Sequence, residues 1–266
     1  KNDLKVTDLR NNGNILSVGN INISQNKNLI NNGKIQSNND ITINSENIEN
    51  NELIGKNINI TTNSLKNNSK IVAKANNFIT TKDLVNIGHL YSTGKNDLKV
   101  TDLRNSGNIL SVGNINISQN KNLINSGKIQ SNNDITINSE NIENNELIGK
   151  NINITTNSLK NNSKIVAKAN NFITTKDLVN IGHLYSTGKN DLKVTDLRNS
   201  GNILSVGNIN ISQNKNLINS GKIQSNEDMV INSKDIKNNK EFIAKNINIE
   251  TGKLENTDKL IATNNM

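Results

Sequence analysis

There is no cysteine, proline or tryptophan among the 266 residues, and aromatics make up only 2% of them. Without cysteine there is no disulfide framework and no thiolate chemistry. With so little aromatic bulk and hydrophobic residues at 32%, a conventional globular core is hard to fill. No apolar run approaches the length of a membrane span, which argues against membrane insertion. No signal-like stretch stands at Lys1, so the sequence reads as a piece of something longer. What is present is asparagine, roughly a quarter of the chain, and a formal charge of +8. That composition raises disorder as a first possibility. The aliphatic residues speak against it, because they are largely β-branched and evenly spread.

Repetition settles their meaning. "KNDLKVTDLRN" begins at Lys1, Lys95 and Lys189, a period of 94 residues. The first two copies differ at two positions only, Asn12 against Ser106 and Asn32 against Ser126. The third copy follows until about Ser225 and then diverges. The chain is thus expected to form a single segment over residues 1–266, with internal repeats 1–94, 95–188 and 189–266.

Each 94-residue copy contains a shorter period of about 19 residues, giving 14 units in all. A leading Leu or Ile opens each unit, from Leu9 to Leu254. Two residues later comes an invariant Asn, at Asn11, Asn31, Asn50, Asn67, Asn86, Asn105 and onwards. A second aliphatic or Phe follows, as at Ile15, Ile35, Leu53, Ile71 and Leu90, and two residues beyond it stands Ser, Ala or Gly. Disordered filler would not hold four positions through 14 units.

Period-two alternation, read at Leu4/Val6, Ile21/Ile23, Ile41/Ile43 and Ile58/Ile60, predicts half-buried strands. Gly, Asn and Ser clusters between them supply turns that tolerate positive φ. One unit cannot bury its own apolar side, but stacked units can. The expected fold is all-β: a right-handed parallel β-helix of about 14 coils. At about 4.8 Å per coil it would extend roughly 65 Å. Leu9, Ile15, Ile21, Leu29, Ile35, Ile41, Ile58, Leu65 and Ile71 should be nearly fully buried. The Asn column shares their parity, so its amides should point inward and bond to one another. The alternative is that these asparagines serve only as turn residues.

The residue after the second aliphatic has the opposite parity and should face out. It reads Leu16, Ile54, Val72 and Tyr91 in the first copy, Leu110, Ile148, Val166 and Tyr185 in the second and Leu204 in the third, with Gln36, Gln130 and Gln224 interrupting. An axial apolar stripe is a candidate contact line, although β propensity alone would also favour such residues there.

The pattern L-x-N-x-G-x-I-x-S-x-G followed by N-I-x-I stands here as Leu9, Asn11, Gly13, Ile15, Ser17, Gly19, Asn20, Ile21 and Ile23. It resembles the haemagglutinin repeat of filamentous haemagglutinins, which also builds the stalks of contact-dependent growth inhibition proteins. The resemblance covers the whole chain. It departs at Ile48, whose unit lacks the Gly and one residue, and at Ser69, which stands in a Gly position. What it implies is a two-partner secretion exoprotein, exported through an outer-membrane transporter and displayed at the bacterial cell surface. Its role there would be an extended stalk for adhesion or toxin delivery, meeting a neighbouring cell or host surface as a virulence factor.

Chemistry is scarce. His89 and His183 are five coils apart, about 24 Å by strand spacing, so they cannot share a metal. Each should face solvent beside Tyr91 or Tyr185. No phosphate-binding loop or calcium nonapeptide occurs, and no cofactor is implied. The rival class is a polysaccharide-active β-helix enzyme, which needs clustered carboxylates. Asp40, Glu46, Glu49 and Glu52 are close in sequence but interleaved with Lys and Asn. Ice binding would need Thr columns, and Thr61, Thr62, Thr80 and Thr81 occupy two coils of five. The charge of +8, without aromatic platforms, gives little support to nucleic-acid binding. Direct adhesion to carbohydrate or host surface through the outer face remains the other binding class.

Overall fold

The structure is a computed structural model that describes residues 1–265. Every strand pairing described is parallel, and partners lie 17 to 20 residues apart, so each strand pairs with its counterpart in the next turn of the chain. This is a parallel β-solenoid. The chain divides into two compact units, Lys1–Thr136 and Ile137 onwards.

In the first unit each coil contributes to three stacks. Residues 2–5, 21–24, 41–44, 58–61, 77–80, 96–99 and 115–118 form the first. The leading Leu/Ile and the invariant Asn lie in the second, which runs from residues 8–11 to 122–125. The second aliphatic lies in the third, from residues 14–17 to 128–131. The second unit repeats this register, as in Asn144↔Asn161 and Ile165↔Leu184. One sequence-based pairing shifts: Leu4 stacks on Ile23, and its strand partner is Asn2 against Ile21 rather than Val6. Val6 belongs to a corner, where Val100 is its fully buried counterpart.

Alternation buries one side of the strands in the interior coils. Ile21, Leu29, Ile35, Ile41, Ile58, Leu65 and Ile71 are at most 1% exposed. Leu9 and Ile15 depart from expectation and are half-buried, because their coil stacks on a neighbour at one face only.

The glycines also depart from expectation. Among the described residues no glycine has positive φ. Glycine is required instead where backbones stack closely. A Cβ on Gly107 would lie 2.0 Å from the carbonyl oxygen of Gly88, and one on Gly88 would lie 1.8 Å from that of Ser69. Ser69 can carry a side chain because the coil before it is one residue shorter: Asn50 pairs with Asn67 and Glu52 with Lys70, so a single residue spans the gap.

Positive φ occurs at Gln25, Gln119 and Gln213, at 57 to 60°. The register slips between Ile23 and Asn26, which places Gln25 at the one-residue insertion of a 20-residue coil. The bulge lets Asn26 turn inward, where its Nδ2 donates to the Val6 carbonyl at 3.0 Å and its Oδ1 accepts from Ser45 Oγ at 2.7 Å. A left-handed glutamine costs about 1–2 kcal/mol. Replacing each exposed glutamine by Gly should relieve that cost and raise the denaturation midpoint, with a net gain of about 1 kcal/mol per site. A lower midpoint for Gln25→Gly would show that its side chain holds the bulge.

Candidate functional site

The invariant asparagines stack in the second sheet with their side chains inside. In the first unit, Asn11, Asn31, Asn50, Asn67, Asn86, Asn105 and Asn125 form one continuous chain. Each Nδ2 donates to the Oδ1 of the next, at 2.7 to 3.1 Å. In the second unit Asn144, Asn161, Asn180, Asn199, Asn219, Asn238 and Asn256 do the same at 2.6 to 3.1 Å. The second amide hydrogen reaches a main-chain carbonyl of the following coil: Asn31 donates to Glu52 O at 2.8 Å and Asn67 to His89 O at 3.1 Å. A primary amide has two donors and one strong acceptor. Leu could not replace it without orphaning groups on two sides, and Asp would supply no donor. That chemistry fits a position held as Asn in every coil.

A second buried amide pair has no counterpart in the sequence-based reading. Asn77 and Asn96 occupy the first-sheet column that begins at Asn2 and carries Ile at Ile21, Ile41, Ile58 and Ile115. Both are 0% exposed. Asn77 Nδ2 donates to Asn96 Oδ1 at 2.8 Å and to Tyr91 O at 2.9 Å. Asn171 and Asn190 repeat the arrangement. The Oδ1 atoms of Asn77 and Asn171 have no partner among the described residues. The available signal was alignment alone: Asn77 has the parity of Ile79, as Ile58 has that of Ile60.

On the outside of the third sheet, Leu16, Gln36, Ile54, Val72, Tyr91, Leu110 and Gln130 stack in register. In the second unit the column is Ile148, Val166, Tyr185, Leu204, Gln224, Ile243 and Ile261. Leu16 is 58% exposed, while Ile54, Val72, Tyr91, Leu110, Ile148, Val166, Tyr185 and Leu204 are half-buried. Alongside runs a charged column in which Glu52 meets Lys34 and Lys70, each at 3.3 Å. Such half-buried, solvent-screened pairs contribute modestly. His89 lies exposed in the same column with its Nδ1 3.1 Å from Asn108 Nδ2, and His183 faces Asn202 alike.

The four clustered acids do not converge. Glu52 is on the third sheet, whereas Glu49 lies outside the second, accepting from Lys66 Nζ at 3.0 Å and Asn68 Nδ2 at 2.8 Å. The Asn68 bond first, then Lys66, holds the Glu49 carboxyl below its ordinary range. Any stability from that contact is present above the ordinary carboxylate pKa and fades as pH falls through the lowered one. Asp40 sits at a corner, receiving the main-chain N and Nδ2 of Asn57, and Glu46 is exposed. These four carboxylates are therefore not paired across one groove in the way glycoside hydrolysis uses them. Thr62 and Thr81 are buried at a corner, bonded to the carbonyls of Ser64 and Asp83, while the exposed Thr61 and Thr80 stack in register between Asn44 and Lys99, an outer Thr column only two coils long. No group of three or more His, Asp or Glu among the described residues is arranged to hold a metal. Among the described residues no helix is long and apolar enough to cross a membrane.

No curated protein and no solved structure matches the chain. The family model described as Haemagglutinin repeat matches three times, over residues 1–90, 91–183 and 185–258. Such repeats are typical of secreted surface exoproteins. The matches take in nearly the whole sequence: the first two, 90 and 93 residues long, are close to the 94-residue period, and the third, 74 residues long, falls on the shorter last copy. The chain therefore belongs to the haemagglutinin repeat family, which is structural and adhesin-type rather than enzymatic.

Proposed function

We propose that the chain is a stalk segment of a large bacterial surface exoprotein, exported by a two-partner outer-membrane transporter, that holds an adhesive or toxin-delivering region away from the cell. The observation that carries this reading is the amide chain joined to in-register stacking. Each coil offers its successor the same aliphatic columns and the same amide acceptor, so length can be added without new design. Near-identical 94-residue copies fit a part whose useful property is reach. A direct lateral contact is the second reading, supported by the outer stripe from Ile54 to Leu110.

One experiment separates the two. Deleting residues 95–188 from the surface-displayed exoprotein removes five coils, about 24 Å of stacking. The stalk reading expects export and binding per molecule to persist, with reach shortened. Substituting Leu16, Ile54, Val72 and Tyr91 together by Ser or Thr should then leave adhesion and self-association as they were. If the substituted protein folds and is exported but no longer adheres, the stripe itself makes the contact and the passive stalk is wrong.

A further inference from the structure

Of the 63 asparagines, only Asn12 and Asn32 precede a glycine. Both lie in the first 94-residue copy, and both positions are Ser in the later copies, at Ser106, Ser126, Ser200 and Ser220. The two differences between the first and second copies therefore remove the two Asn-Gly junctions. Glycine leaves the following main-chain nitrogen without Cβ cover, the condition under which that nitrogen can reach the asparagine side chain.

The structure adds an environment. Asn12 and Asn32 are exposed. Asn31 pairs with Asn50 and Lys34 with Glu52, so Asn32 and Gly33 form a two-residue bulge over a single residue of the next coil and lack register partners there. Asn32 Nδ2 donates to Asn12 Oδ1 at 2.9 Å. This bond places a donor on the oxygen that gains negative charge when the Asn12 side-chain carbonyl is attacked. Among the described residues no such donor stands on Asn32 Oδ1. The Gly13 N–H, which must attack at Asn12, donates to Asn11 Oδ1 at 3.3 Å and has to leave that acceptor first.

We propose that Asn12-Gly13 and Asn32-Gly33 are a pair of self-modifying junctions confined to the first repeat, with Asn12 assisted by the donor that Asn32 extends to it. The main-chain nitrogen of the glycine loses its proton and attacks Cγ of the asparagine. A C–N bond forms, the Cγ–Nδ2 bond breaks, and ammonia leaves with the proton, giving a five-membered succinimide. Water then adds to either ring carbonyl and opens it, to aspartate or to isoaspartate. The sum is one water consumed and one ammonia released at each site, and a carboxylate stands where an amide stood. Conversion at Asn32 also removes the donor that it extends to Asn12.

The test is incubation of the folded chain in mildly alkaline buffer made with heavy-oxygen water, followed by peptide mass mapping over time. Label from solvent should enter at Asn12 and Asn32, with isoaspartate among the products, many-fold faster than at any other asparagine. Asn32→Ser, a residue the later copies already carry at this place, should abolish the second site and slow conversion at Asn12 several-fold. Conversion spread evenly over the asparagines, or none at these two, overturns the proposal. An unchanged Asn12 rate in Asn32→Ser overturns the part assigned to the donor.

Discussion

Ile35→Asp is expected to destabilise the first unit by about 3–5 kcal/mol at neutral pH. Ile35 is 0% exposed, stacked between Ile15 and Leu53 in the third-sheet column. A carboxylate there would have aliphatic neighbours above and below. Its charge would be neither solvated nor paired. The group avoids that penalty by staying protonated, so its folded pKa rises above the unfolded value of about 3.9. Below that pH only the lost packing and the unpartnered neutral carboxyl should count, and the deficit should grow as pH rises through and above it. Urea titrations of the variant at acidic and neutral pH would test both size and sign. A neutral-pH midpoint close to that of the parent would mean the column is not a closed core.

Asn67→Leu is expected to cost about 2–4 kcal/mol, although Leu is apolar and of comparable bulk. Asn67 is 0% exposed. Its Oδ1 accepts from Asn50 at 3.1 Å, and its Nδ2 donates to Asn86 Oδ1 at 2.7 Å and His89 O at 3.1 Å. Removing it strips an acceptor from Asn50 and a donor from Asn86, both buried, and a donor from the part-buried His89 carbonyl. Neighbouring Asn68 is the control. It is exposed and bonds Glu49 Oε1 at 2.8 Å, so Asn68→Ser should change stability by less than about 1 kcal/mol. Equal melting temperatures for the two variants would reduce the internal asparagines to turn residues.

The contrast between those neighbours explains what the sequence revealed and what it withheld. Position within the 19-residue period separates Asn67 from Asn68, and parity with Leu65 puts the first inside. The same logic located Ile35 and the outer line through Val72 and Tyr91. It failed where one residue type serves two environments. Asn77 and Asn96 sit in an isoleucine column, yet in isolation they look like the turn asparagines beside them. Gln25 gave no local sign of left-handed backbone, since that conformation is set by an extra residue at a corner rather than by glutamine. Glycines between the strands read as turn residues for positive φ, but at Gly88 and Gly107 the stacking distance to the preceding coil, invisible within one unit, is what excludes a side chain. For the candidate site, the columns could be read from the period, whereas donor direction and the unpaired oxygen of Asn77 needed three dimensions.

The constant separation of partners has a kinetic consequence. Every rung of the amide chain joins residues 17 to 20 apart, and strand partners share that spacing. Closing one more coil therefore costs the entropy of a loop of fixed, modest length, however many coils already exist. Folding can advance coil by coil along a finished edge, and its slowest step becomes formation of the first few coils. An array of this kind can gain or lose 94-residue copies over generations without lengthening the search that any one coil must make.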